Sequence, residues 1–362
     1  MRAIAATLRD IADRLGVSAQ AVSLALHKPA GTGRISAELR ERALVAAREM
    51  GYQPNRLARA LVRGRSHFVG LLMLANMDLP YVEALRGVDY EAAALGYGVL
   101  LCNAHGRQTA AQQLQTFVEN RVEGIITVAS SNVGLADEVL TRKPEGVPLV
   151  SINRDIRAAG VFSILMDNQG AMQQATAHLI GLGHRRIAYL DQAPPAPRRP
   201  LQSSVERREG YAAAMRAAGL APLVRCLPIQ ANELRVAEAC RTAHELLAGP
   251  EPPTAFCAVT DWEMVGALRA CHALGLRVPE DVALFGFDDR EAGRWTVPAL
   301  SSVRPAFFEA GRQAVQRLLD WHDGTDAGLA RLRCELVFRG SAPEADMGGS
   351  GDPRPAATVR EA

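Results

Sequence analysis

The 362-residue sequence lacks several features that would place it in a common class. It has no run of roughly 18 apolar residues, so no membrane-spanning helix and no membrane partner are expected. Its N-terminus lacks the charged-then-apolar pattern of an export signal, which points to a cytoplasmic location. The six cysteines (Cys102, Cys226, Cys240, Cys257, Cys271, Cys334) are scattered, and no two form a CxxC pair. That spacing predicts buried thiols rather than a disulfide framework or a zinc site. No GxxxxGKS/T, HExxH, GxSxG or SxxK pattern occurs. No catalytic residue, cofactor or resident metal is therefore expected, and the chain does not read as an enzyme. Lysine is almost absent, with only Lys28 and Lys143, so arginine carries nearly all the positive charge. Coding composition accounts for that bias better than a need for arginine forks.

The charge that is present is unevenly placed. Residues 1–65 hold 12 Lys+Arg against 5 Asp+Glu, whereas the remaining 297 hold 29 against 34. A basic head on an acidic body suits a polyanion-binding module joined to a sensor.

Within the head, Leu8, Ile11, Ala12 and Leu15 repeat at helical spacing, and Gly16 supplies a tight turn. Ser18 stands where an N-cap belongs, and Val22, Ala25 and Leu26 give a second helix its buried face. Ala19, Gln20, Ser23, Leu24 and His27 remain on the other face, where a helix-turn-helix reads the major groove. A third helix opens after Ser36 and closes at Gly51, beyond a basic, Gly-containing loop from Lys28 to Arg34. Pro54 to Leu61 then form a helix of about seven residues, too short to be stable alone in water.

Asp10-Ile11-Ala12, Gly16-Val17-Ser18, Val22-Ser23, Gly51-Tyr52-Gln53-Pro54-Asn55 and Ala58-Arg59-Ala60-Leu61 stand in the order of a known family. The chain resembles the lactose/galactose-repressor (LacI/GalR) family to about Ala342. The resemblance implies an all-α helix-turn-helix head with a hinge helix, joined to a two-lobed α/β core of parallel sheets like that of periplasmic binding proteins. It implies a homodimer on double-stranded operator DNA, acting as a repressor under the control of a small-molecule effector, here expected to be a sugar. Ser18, Ala19, Gln20, Ser23, Leu24, His27, Asn55, Arg56 and Arg59 become DNA-binding candidates, and Leu61 the wedge that opens a base step in the minor groove. The family often has Thr at the position of Ala21 and Arg at that of Leu24, so base readout differs here.

The core alternates strand and helix twice over. Strands are expected at Phe68–Leu74, Gly98–Cys102, 124–128 and 148–152, and again at 186–190, 224–227, 255–259 and 282–287. The expected organisation is a head over 1–53, a hinge and linker over 54–66, a core over 67–342, and a disordered tail over 343–362. The resemblance adds three crossings between lobes. Lobe 1 takes about 67–166 and 298–328, and lobe 2 about 167–297 and 329–342.

By resemblance, Arg207 and Asp288 face the ligand cleft, a cation and a carboxylate suited to vicinal hydroxyls. Thr260 and Asp261 stand where the family usually has Asn-Asp. Asp78, Tyr81, Asn103 and Arg154 complete the expected effector set. Pro80 replaces a frequent second aromatic ring, which argues against a flat purine between two rings. The Pro-rich insert 194–200 is either a lid or a solvated loop. Two other readings are a transport solute-binding protein and a regulator taking a nucleobase or phosphorylated metabolite as co-repressor.

Overall fold

The computed structural model describes residues 6–27, 35–52, 65–74, 79–104, 109–129, 144–193, 201–228, 232–321 and 328–344. The loop 28–34, the hinge segment with Asn55, Arg56, Arg59 and Leu61, Asp78, the insert 194–200 and the tail from 345 lie outside the described residues. The chain divides between Ser66 and His67 into two units, each described by itself.

In the first unit, Thr7 opens α1 (Leu8–Leu15) with a reciprocal capping box. Its hydroxyl accepts the Asp10 N–H at 3.3 Å, and the Asp10 carboxylate accepts the Thr7 N–H at 2.7 Å. Gly16 ends the helix at φ 67°, a left-handed turn that costs glycine nothing. Ser18 accepts the Ala21 N–H at 3.2 Å at the head of α2 (Ala19–His27). Ser36 caps α3 (Ala37–Glu49) in the same way. Ile11, Ala12, Val22, Ala46 and Ala47 form the small shared core, and Arg14 pairs with Glu49 across it.

The second unit holds two six-stranded sheets. The first contains β1 (Phe68–Leu74), β2 (Gly98–Asn103), β3 (Ile125–Ala129), β4 (Leu149–Ile152), β5 (Phe162–Met166) and β11 (Leu329–Leu332), in the order β11-β5-β4-β3-β1-β2 and all parallel. The second contains β6 (Ile187–Ala193), β7 (Leu223–Pro228), β8 (Ala255–Ala258), β9 (Ala283–Phe287), β10 (Ser301–Arg304) and β12 (Glu335–Val337), in the order β12-β10-β9-β8-β6-β7. Only β12 runs antiparallel, against β10. Strands such as β1, β3, β5 and β9 are buried over nearly their whole length, as parallel strands covered on both faces must be.

Helices α4 (Leu79–Ala94), α5 (Ala110–Glu119) and α11 (Phe307–Leu319) cover the first sheet. Helices α6 (Asn168–Gly181), α7 (Gln202–Ala217), α8 (Asn232–Leu247) and α9 (Asp261–Ala273) cover the second, with the short α10 (Glu291–Arg294) after β9. Neighbouring helices meet at glycines. A Cβ on Gly87 would overlap the Phe308 carbonyl, one on Gly210 the Gln169 carbonyl, and one on Gly266 the Val236 carbonyl.

The chain crosses between the sheets after β5, after β10 and after β11, and two of these points differ from expectation. Residues from Pro298 were expected in lobe 1, but Ser301–Arg304 pairs with β9 in lobe 2, and the chain enters lobe 1 only at α11. Residues 329–332 were expected in lobe 2, but they pair with β5 in lobe 1. Both strands are four residues long. Local hydrophobicity marks such a strand without saying which sheet edge it completes.

Candidate functional site

Two groups of side chains carry the chemistry. On the head, Ser18, Ala19 and Gln20 are exposed at the start of α2, Ser23 and Leu24 are half-buried, and His27 is the last residue of the helix. No acidic residue lies in the first turn of α2, so its positive dipole end is not neutralised there. A helix start of that kind accepts phosphate oxygens on its free N–H groups.

In the core, a cavity of about 640 Å³ lies between two helices of lobe 1 and the ends of β9 and β10 in lobe 2. Pro80 and Glu83 of α4 and Phe307 and Phe308 of α11 form one wall, and Asp288, Asp289, Arg294, Trp295 and Arg304 the other. Asp288 leaves β9 at φ 93° and Asp289 follows at φ 47°, two left-handed residues in a row. Such backbone costs of order 1–3 kcal/mol and persists only where the surroundings fix it.

The surroundings here do fix it. The Asp288 amide donates to the Val303 carbonyl at 2.8 Å, and the Asp289 amide to Ser302 Oγ at 3.0 Å. Asp289 accepts from Arg294 (2.7 Å), Arg304 (2.7 Å) and Arg339 (2.6 Å). Burial pushes its carboxyl up, but the Arg304 and Arg339 bonds outweigh that and hold it below the usual range.

Arg207 reaches the same loop from α7. Its Nε donates to Asn168 Oδ1 at 3.1 Å, its Nη1 to the Val259 carbonyl at 2.6 Å, and its Nη2 pairs with Asp288 Oδ1 at 3.2 Å. The guanidinium also lies 3.6 Å over the Phe287 ring. Arg290 donates to Asp288 Oδ2 at 2.9 Å, so one carboxylate is shared by two arginines. Arg207 and Asp288 are thus brought together, with Asp288 on the cavity wall and Arg207 behind it.

The remaining expected residues are placed differently. The Thr260 hydroxyl donates to Glu263 Oε2 at 2.6 Å and accepts the Trp262 N–H, as the cap of α9. Asp261 is 1% exposed and does not line that cavity. It accepts Ser302 Oγ at 2.7 Å and the Arg290 N–H at 2.5 Å, beneath the Asp288 loop. Tyr81 sets its ring edge-on to Phe307, centroids 5.3 Å apart. Asn103 ends β2 with its carboxamide oxygen buried and without a hydrogen-bond partner among the described residues. Arg154 is half-buried, and its carbonyl accepts the Ser151 hydroxyl at 3.0 Å.

Several polar groups were not expected. Glu263 is fully buried, accepting Gln192 Nε2 at 2.6 Å with Arg235 Nε at 3.6 Å, and burial pushes its carboxyl up against the pull of Arg235. Asp191 is buried against Arg208 at 2.9 Å. Asn168, Arg290 and the three arginines on Asp289 complete the set. Asn168 stands at the first lobe crossing and Arg208 and Arg290 stand beside Arg207 and Asp288 in sequence, which was the available signal for them. All six cysteines are free thiols, and no helix among the described residues is long and apolar enough to cross a membrane.

Comparison with known proteins bears on both groups. Residues 7–55 match the family described as bacterial regulatory proteins, lacI family, and residues 176–342 match a periplasmic binding protein-like domain. The chain is 30% identical over 348 residues to the ribose operon repressor of Escherichia coli (strain K12), covering 93% of this chain and all of that protein. It is 29% identical over 340 residues to the HTH-type transcriptional repressor CytR of the same organism, covering 93% and 96%. Among solved structures, the lac repressor dimer bound to operator and the anti-inducer ONPF superposes with TM-score 0.77 at 25% identity, over 94% of this chain and 100% of that one. A complex of the transcriptional regulator CelR with cellobiose superposes with TM-score 0.62 at 27% identity, over 93% and 99%.

Proposed function

The chain belongs to the lacI family of bacterial regulatory proteins, and on that premise we propose that it is a cytoplasmic repressor whose effector is a sugar. It is a DNA-binding transcriptional regulator controlled by a small molecule, and it acts on operator DNA as a homodimer. One observation carries the reading. The exposed start of α2 and a cavity walled by Asp288, with Arg207 bonded behind it, occur in one chain, a reader and a sensor in separate units.

Gln20 reads a base edge in the major groove, with Ser18, Ala19, Ser23, Leu24 and His27 beside it on bases or phosphates. Asn55, Arg56 and Arg59 hold the backbone, and Leu61 enters the minor groove as a wedge. The effector settles between the lobes against Asp288 and Arg207. It shifts operator affinity only by its differential affinity for two lobe arrangements, typically ~1–3 kcal/mol of coupling. A sugar is favoured because relatives include a ribose operon repressor and a regulator solved with cellobiose. The paired cation and carboxylate also offer both an acceptor and donors to vicinal hydroxyls. No catalytic role is assigned to the core.

The test is selection of genomic fragments by the purified chain, followed by gel shift of the enriched sequence with a panel of sugars and nucleosides. A symmetric site released by one sugar is the expected result. Absence of any enriched sequence would overturn the reading.

A further inference from the structure

A continuous line of polar contacts runs from the cleft into the opposite lobe. Asp288 Oδ1 pairs with Arg207 Nη2 at 3.2 Å, and Arg207 Nε donates to Asn168 Oδ1 at 3.1 Å. Asn168 Nδ2 donates to Glu206 Oε2 at 3.0 Å, and Glu206 Oε1 lies 3.5 Å from Arg331 Nη1. Arg207 and Glu206 belong to α7 in lobe 2, whereas Arg331 stands on β11, opposite Leu165 of lobe 1. Asn168 begins α6 just after the first crossing between lobes. That crossing is itself tied to β11, since the Asp167 amide donates to the Leu332 carbonyl at 2.8 Å.

The middle of the line has a fixed direction. The Asn168 carboxamide presents its oxygen to a guanidinium and its NH2 to a carboxylate. A flipped amide would face donor with donor and acceptor with acceptor, so its two partners are read together. Asn168 is 3% and Arg207 8% exposed, which leaves little water to substitute for a lost partner. At the far end Arg331 also acts on Asp155 of lobe 1, which is itself bonded to Arg157. Arg331 is therefore ion-paired with a carboxylate of lobe 2 while its charge is felt by one of lobe 1.

We infer that Asn168, Glu206 and Arg331 are positioning residues that couple the state of Asp288 and Arg207 to the relative placement of the lobes, with Glu206–Arg331 as the latch. A ligand that draws Arg207 or Asp288 toward itself pulls on Asn168, and through it on the only ion pair of the line that bridges the two lobes. This rests on the cleft being the effector site, but the latch can be tested without an effector.

Lobe separation in the full-length protein is read by single-molecule energy transfer. Dyes are carried on unnatural residues at Gln115 in lobe 1 and Arg241 in lobe 2, and the labelled chain is mixed with excess unlabelled chain. Glu206→Gln, which keeps the Asn168 bond and removes the charge, and Arg331→Gln should shift the transfer efficiency in the same direction. The double variant should shift no further. Asp288→Ala should shift it in the wild-type background and not in Asn168→Leu. Glu209→Gln, exposed on the same helix and outside the line, should leave it unchanged. Unchanged efficiency in both Glu206→Gln and Arg331→Gln, or full additivity in the double, would overturn the coupling. The expected pattern in a chain whose cleft binds no small molecule would support the latch while overturning the effector reading.

Discussion

Ser302 donates its hydroxyl to Asp261 at 2.7 Å beneath the loop that carries Asp288. With the Arg290 amide on its second oxygen, Asp261 ties β10 and the post-β9 loop to the start of α9. A Cβ on Gly286 would collide with the same carboxylate, so strand, loop and helix meet without spare space. Asp261 is therefore a strut under the Asp288 loop.

Burial pushes the Asp261 carboxyl up to about 8, against the bonds from Ser302 and Arg290. An unfolded aspartate titrates near ~3.9, so between about pH 4 and 8 the folded chain holds a proton that the unfolded chain has lost. The stabilisation is complete below the unfolded value and is lost as pH rises through about 8, by at most ~1.4 kcal/mol per pH unit. Asp261→Asn mimics the neutral acid and should lack this slope. Its melting temperature relative to wild type should climb from pH 5 to pH 8. Parallel pH–Tm curves for the two proteins would contradict the assignment.

Gly210→Ala tests whether Arg207 depends on the closeness of α6 and α7. The added methyl meets the Gln169 carbonyl, a backbone atom that cannot turn aside. The core should lose roughly 1–3 kcal/mol of stability and its response to effector, because α7 carries Arg207 one turn earlier. Gly181→Ala, with nothing within 4 Å of the new Cβ, should be neutral or stabilising in the same thermal scans.

Much of this architecture is legible in the sequence. Apolar runs located β1, β3, β4 and β9 to within a residue or two, because buried parallel strands have no polar face to blur. Gly16 and Ser18 located the head's turn, because a left-handed residue and an N-cap each call for specific chemistry. The four-residue β10 and β11 were assigned to the wrong lobes, because sheet membership is decided by partners distant in sequence. The cleft was partly legible. Motif position singled out Arg207 and Asp288, and the structure pairs their side chains. Thr260 read as a ligand group but spends its hydroxyl on Glu263, and the glutamate three residues on was the overlooked sign of a capping box.

The head should separate into folding and reading functions. Ser18→Ala removes the acceptor of the Ala21 N–H and should cost the head about 1 kcal/mol of stability. Gln20 is exposed and needed by no core contact, so Gln20→Ala should leave the melting of the head unchanged. It should weaken the selected operator by roughly 1–3 kcal/mol while leaving binding to random DNA nearly intact. Equal losses on both DNAs in an anisotropy titration would reassign Gln20 to the phosphates.

Arg207 is the residue on which the proposed sensing and the observed architecture overlap, so its substitutions should part the two. Arg207→Ala leaves Asp288 paired with Arg290, and the carboxylate is not stranded. The variant should fold with reduced stability, having lost the Asn168 and Val259 bonds and the cover over Phe287. It should bind operator and fail to respond to the effector. Arg207→Lys keeps the charge but not the fork. A single ammonium cannot satisfy Asn168, the Val259 carbonyl and Asp288 from a planar set of donors, so lysine should rescue stability in part and effector response hardly at all. Asp288→Asn should instead lose ligand affinity at some cost in stability, since its single carboxamide oxygen can replace the acceptor of only one arginine and its NH2 faces the other. Thermal shift against the sugar panel, run beside operator gel shifts, checks all three. A normal effector response in Arg207→Lys would mean that charge alone, without the fork, holds the ligand.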